Sequence, residues 1–388
     1  MRTKLEAVPF LSLGFRPFFL AAGGYAVFAM SLWFAGYTLG LQTGVGALPA
    51  TLQHAHEMIF GYAMAVIAGF LLTAVSNWTG LQTLRGLPLL VLLLLWLTAR
   101  AAFYVPGAGM LWSAVADTLF CLYLVVAIAV PLAQKRQWQQ TGVVTKVALI
   151  GAGNLVFYLG MLGYLDHGVR WGLYTGFYLV IGLILTMSRR LIPFFIERGL
   201  PAPVRLRNSS RVDTAALVIY LAFFVLAVFV ADRTLAAALA GVLFLIHAYR
   251  LAGWNTPGIW RKPLLWSLYL SYAFITSGFL LFAASWWLDS LWLPALHAFA
   301  VGGIGLMTLS MMTRVSLGHT GRSIHEPPRR MPLFLLLLVI ATLMRVVLPP
   351  LLPDFYGYWI ALSQLLWISA FAGFLGVYLP MLTRAAKP

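Results

Sequence analysis

A chain of 388 residues that is 62% hydrophobic and only 9% charged, with a mean hydropathy of +0.90, is not an ordinary soluble domain. Its net charge of +16 does not point to nucleic acid, because Lys and Arg sit in short gaps between apolar runs rather than along one amphipathic face. A single cysteine, Cys121, lies inside an apolar run, which excludes intrachain disulfides, thiolate-held iron–sulfur clusters and a C-x-x-C-H haem attachment. Any metal would therefore rest on imidazole, carboxylate or thioether.

Met1 to Phe15 has no signal-peptide arrangement, so the N-terminus is expected to be retained. Read against Pro, Gly and charged punctuation, the apolar runs predict an all-α polytopic membrane protein, one integral domain over residues 1–388 with twelve spans. They run roughly Arg16 to Leu39, Gln53 to Ser76, Leu87 to Phe103, Met110 to Ala133, Val143 to Leu165 and Trp171 to Ile192, and then Thr214 to Ala231, Leu235 to Ala252, Leu264 to Trp287, Leu293 to Val315, Met331 to Leu348 and Phe355 to Leu382.

Cytoplasmic loops retain Lys and Arg. With the N-terminus inside, all of the 26 cations except Arg100, Arg170, Arg233 and Arg345 fall on the internal side, from Arg2, Lys4 and Arg16 to Arg384 and Lys387. Both termini are expected to be cytoplasmic. The longest connection, a basic loop at 188–212, divides the chain into six plus six spans, a layout found in many secondary transporters. The loop after the second span, Asn77 to Gly86, lacks the Asp-Arg pattern of a major-facilitator protein, and the second half shows no further His-x-His-Glu.

The densest set of ligands is His54-Ala55-His56-Glu57-Met58, at the outer end of the second span. Ionisable groups there are costly unless paired, solvated or metal-bound, and so propose a site. His297 opens the tenth span at similar depth and can converge with them, whereas His247 lies roughly 10 Å deeper at 1.5 Å of rise per residue. On a regular helix His54 and Glu57 face one way and His56 another, so the histidines would serve different partners; if the chain is still extended at His54, both could point together. Glu57 also suits the positive end of a helix dipole. Gly302, Gly303 and Gly305 after His297 would admit a flat macrocycle or serve small-residue packing.

His247 reads as a second haem-edge ligand or a buried imidazole bonded to a neighbouring helix. Asp117, in the outer part of the fourth span, would orient a ligand imidazole or join a proton path. On the internal side Arg16, Arg189, Arg190, Arg314 and Arg322 suit haem propionates or serve as topology anchors, and His319 stands in Gly318-His319-Thr320-Gly321-Arg322.

Several segments resemble the NnrS family: Leu13-Gly14-Phe15-Arg16-Pro17-Phe18-Phe19, the His54 to Met58 run with Gly61, Ala68-Gly69-Phe70-Leu71-Leu72-Thr73-Ala74-Val75 into Asn77-Trp78-Thr79-Gly80, Arg190-Leu191-Ile192-Pro193-Phe194-Phe195, Pro263-Leu264-Leu265-Trp266, His297-Ala298-Phe299, and Met312 to Arg322. The resemblance implies a bacterial inner-membrane protein carrying haem b and copper, linked to nitric oxide protection and denitrification. Tyr158 and Tyr269 stand where many relatives have histidine, which shifts weight to His54, His56 and His297. The expected activity is reduction of nitric oxide to nitrous oxide with electrons from a quinol or a periplasmic redox protein. His297 is then the axial haem ligand, His54 or His56 holds copper or the opposite haem face, and Glu57 supplies protons. A metal-bearing sensor, a cofactor-handling protein and a secondary transporter are the alternatives.

Overall fold

The computed structural model describes residues 5, 8–43, 48–201 and 203–385; Arg2, Lys4 and Lys387, counted above as internal cations, lie outside them. Among the described residues there is no strand, and twelve helices are long and apolar enough to cross a membrane. The protein is a multi-pass membrane protein. The spans are α1 (Phe15–Thr38), α2 (Ala50–Thr79), α3 (Gly86–Phe103), α4 (Gly109–Gln134), α5 (Trp138–Met161), α6 (Gly168–Gly199), α7 (Ser210–Val230), α8 (Arg233–Trp254), α9 (Pro263–Ala284), α10 (Asp289–Gly318), α11 (Met331–Leu351) and α12 (Pro353–Thr383).

Local chemistry sets the ends. Pro263 opens α9 and Pro332 lies in the first turn of α11, where a missing N–H costs nothing. Gly80, at φ +68°, stops α2 in a left-handed turn. The expected loop at 188–212 is shorter than its charge implied: α6 runs on through Pro193 to Gly199 and α7 begins at Ser210, so Arg189, Arg190 and Arg198 ride on a helix. Arg211 and Asp213 belong to the first turn of α7.

The chain falls into two compact units. Unit one comprises Met1–Val180, Met312–Ile324 and Phe371–Pro388; unit two comprises Ile181–Met311 and His325–Ala370. In unit one α3 packs along α4, and α1 along α2. Its core includes Phe15, Phe18, Phe19, Leu71, Leu72, Phe103, Phe120 and Leu124, all at 0% exposure. Leu111, Val115, Leu119, Leu122 and Val126 line the other side of α4 and stay exposed, a stripe at helical spacing fit for lipid rather than water. In unit two α9 packs on α8 and on the middle of α10, around Trp254, Tyr272, Phe279 and Phe299.

Four spans contain a π-helical stretch: Phe34–Thr38, Glu57–Ala63, Leu226–Val230 and Ala298–Gly305. Such widened turns break the regular ladder and recur at functional sites. Two of them directly follow the histidines singled out above.

Candidate functional site

Helix α2 is α-helical from Ala50, with Pro49 just before its first turn, so the regular-helix geometry holds and the two histidines part. His54, half-buried, stacks on Trp33 with ring centroids 4.6 Å apart and 13° between planes. It lines a small cleft together with Gln53, Glu57 and Tyr104. His56 turns inward and is wholly buried, clamped between Phe103 at 4.9 Å and Phe157 at 4.3 Å.

Both ring nitrogens of His56 are engaged: Nδ1 meets Glu57 Oε1 at 2.8 Å and Nε2 meets Asn154 Oδ1 at 2.9 Å. Arg100, in the last turn of α3, donates to Glu57 Oε1 at 2.8 Å and to Asp117 Oδ2. Asp117 Oδ2 also accepts from Asn154 Nδ2 at 3.0 Å and from the Tyr158 hydroxyl at 2.9 Å. Tyr25 donates to Glu57 Oε2 and lies 3.3 Å from the Tyr104 hydroxyl, which borders the cleft and is bonded by Gln53. Burial, with Glu57 nearby, pushes the Tyr104 phenol up, so it remains a proton donor. The result is one buried network of ions and hydroxyls that begins at the cleft.

Its hydrogen bonds fix a proton count. Asn154 gives its N–H to Asp117, so its oxygen faces His56, and His56 must donate from Nε2. A neutral imidazole then has no second N–H for Glu57. The 2.8 Å contact between them requires one more proton, held either as imidazolium against carboxylate or as carboxylic acid against imidazole. With it the buried set is neutral: Arg100 balances Asp117, and the His56–Glu57 pair carries no net charge. Without it, two carboxylates share one guanidinium, all three of them buried, where solvent screens little.

Gly61 allows this closure. A Cβ there would stand 2.6 Å from the Tyr25 ring and 3.1 Å from Arg100 Nη1. Gly61→Ala is expected to destabilise the detergent-purified protein by about 1–3 kcal/mol through overpacking. Gly24→Ala, with nothing within 4 Å, should be neutral or stabilising, and thermal unfolding of the two variants checks the difference.

The sequence reading located His56, Glu57 and Asp117 but assigned Arg100 to a flank and took Tyr158 as a lost ligand. Both are network members, as are Tyr25, Tyr104 and Asn154. The signal for Arg100 was present, since topology had set Arg100, Glu57 and Asp117 at one end of their spans with opposite charges.

The remaining candidates of unit one lie at its other end. Arg16 donates to the carbonyls of Leu382 at 3.3 Å and Arg384 at 2.5 Å, capping the C-terminus of α12, where a cation suits the helix dipole. His319 approaches Asn77 at 3.4 Å and the ring of Phe15, and burial holds its imidazole below the usual range; Arg322 donates to Thr320 O at 3.1 Å. From His54 to Asn77, α2 rises about 35 Å at 1.5 Å per residue. One haem therefore cannot reach both ends, and Arg16, His319 and Arg322 do not serve the group that His54 would hold.

In unit two His297 is half-buried, and its Nδ1 donates to Leu293 O at 2.8 Å, which orients the ring. The glycines that follow are filled from outside: a Cβ on Gly302, Gly303 or Gly305 would meet Phe274, Ile275 or Trp367 at 2.4–2.6 Å. They serve helix packing rather than a macrocycle. His247 is buried, stacked on Phe279 and 2.7 Å from the Tyr272 hydroxyl, which accepts from Arg250 at 2.8 Å. Arg250 and Arg189 share Asp213 at 2.6 and 3.0 Å. Tyr269 donates to Leu251 O at 3.1 Å. Arg314, on the part of α10 that belongs to unit one, is half-buried.

Among the described residues no group of three or more His, Cys, Asp or Glu side chains is arranged to hold a metal ion. No curated protein matches the chain. The NnrS protein family model matches residues 9–385, nearly the whole length, and the chain belongs to the NnrS family.

Proposed function

We propose that this protein is a redox protein of the bacterial inner membrane, with both termini cytoplasmic, that binds haem b and copper. In this reading it reduces two molecules of nitric oxide, with two protons and two electrons, to nitrous oxide and water. Family membership supports a role in nitric oxide metabolism. The observation that carries the reading further is the proton shared by His56 and Glu57, buried yet joined through Tyr25 and Tyr104 to a cleft bordered by a histidine. Reductive coupling of nitric oxide needs protons delivered without bulk water, and this network can hold and pass one.

The residues present differ in how well they suit the cofactors. His297 fits an axial haem ligand, because an Nδ1 anchored on a carbonyl fixes the tautomer and orients the ring. His54, at the cleft, fits copper or the opposite haem face. His56 does not fit, since protein atoms hold both its nitrogens, and no ligation is assigned to it. When bound, haem iron and copper would supply nitric oxide binding and electron transfer. Electrons would come from a quinol or a periplasmic redox protein.

Purified protein, reduced anaerobically, is expected to show a Soret band and to convert nitric oxide to nitrous oxide at an electrode. His297→Ala should lose the band and His54→Ala should lose copper by elemental analysis. A parent protein with neither pigment nor nitrous oxide would sink the reading and favour the transporter alternative, for which twelve spans speak.

A further inference from the structure

Two of the twelve spans differ from the others, and in the same way. In an 18-residue apolar stretch of α2 and of α10, 83% and 78% of the residues are buried, against 61% or less in the other ten spans. Each has a histidine directly before a π-helical stretch, His56 before Glu57–Ala63 and His297 before Ala298–Gly305, with Gly61 and Gly302 five residues on, and then resumes as α-helix. Each closes on the same chemistry. Thr73-Ala74-Val75-Ser76 leads to Thr79-Gly80, and Thr313-Arg314-Val315-Ser316 leads to Thr320-Gly321. Thr79 donates to Val75 O at 2.7 Å and Thr320 to Ser316 O at 2.6 Å, and both glycines turn at φ +68°.

Their neighbours match in order. Arg16-Pro17 in the first turn of α1 answers Lys262-Pro263 at the start of α9. Arg85 and Pro88 around the start of α3 answer Arg329 and Pro332 at α11, and each helical run ends with a cation in its last turn, Arg100 or Arg345. Helices α4 and α12 follow Pro106 and open on Pro353 respectively; each carries Trp112 or Trp359 and an internal proline near its end, Pro131 or Pro380, before Lys135 or Arg384. Each helix of the first set stands eight spans before its counterpart in chain order.

We infer that α1–α4 and α9–α12 are two copies of one four-helix module, with His56 equivalent to His297, Gly61 to Gly302 and Arg100 to Arg345, and that only the first copy keeps the ionic network. Where the first copy has Glu57 and Asp117, the second has Ala298 and Gln364. The module boundary does not fall at the basic connection between α6 and α7, which is why a search for six-plus-six symmetry finds no repeat. The two equivalent histidines then present different surroundings within their own copies. His56 is held on both nitrogens by the network, whereas His297 is half-buried and followed by apolar side chains; His54, at the cleft, has Ala295 at its place in the second copy.

The equivalence is tested by rebuilding half of the lost network in the full chain. Ala298→Glu should place a carboxylate within reach of Arg345, as Glu57 is of Arg100, and the variant should purify monodisperse although Ala298 is fully buried. In an Arg345→Leu background, Ala298→Glu should lose the folded fraction about a hundredfold or more, although Arg345→Leu alone purifies. The inference is overturned if Ala298→Glu fails to fold with Arg345 present, or if it survives equally with and without Arg345. The readout needs neither cofactor nor nitric oxide, so this outcome is separate from the fate of the redox reading.

Discussion

Arg100→Met is expected to be the most damaging single substitution in the protein, costing about 3–5 kcal/mol, enough to abolish recovery of folded protein at ordinary temperature. The guanidinium is 4% exposed and joins Glu57 to Asp117 across three spans. Methionine matches its stem and removes the charge, leaving the buried set one negative charge out of balance. Glu57 keeps Tyr25 and the proton it shares with His56, whereas Asp117 keeps its donors from Tyr158 and Asn154 but has no counterion. The damage is electrostatic, so it should be reversible without restoring the arginine: Asp117→Asn added to Arg100→Met removes the stranded charge and should return much of the stability. Thermal unfolding of the single and double variants in one detergent measures this. A single variant as stable as the parent would mean that the three groups are not coupled as ions.

How much of this was legible in the sequence differs from element to element. The twelve spans were, because a run of twenty apolar residues has one stable form in lipid. The end of α6 was not: Arg189, Arg190 and Pro193 look like a loop, yet lipid-embedded helices tolerate proline and let arginines ride on their ends. The π-helical stretches had no mark at all, since they depend on packing around Gly61 and Gly302 rather than on the segment's own pattern. Within the site, Asn154 and Tyr158 are four apart and share a helix face, a readable signal. Arg100 was hidden by its place in a last turn, where an interfacial anchor and a buried counterion look alike until burial is known. The glycines after His297 misled for the opposite reason: small residues mark close approach but do not say whether a ring or a neighbouring helix approaches.

Glu57→Gln is expected to separate the fold from the chemistry. Glutamine keeps the network neutral: its amide N–H can donate to His56 Nδ1 and its oxygen can accept from Tyr25, while Arg100, which loses its acceptor at that position, keeps Asp117. Fold and pigment should therefore survive a modest loss of stability. What glutamine cannot do is release a proton or take one up from Tyr25, so nitric oxide reduction should fall about 100-fold or more, the usual contribution of a positioned proton donor. Nitric oxide binding to the reduced protein, read from its visible spectrum, should not change, which places the defect after binding. Full turnover in Glu57→Gln would show that protons reach the reaction by another path, and the shared proton of His56 and Glu57 would then be a feature of folding alone.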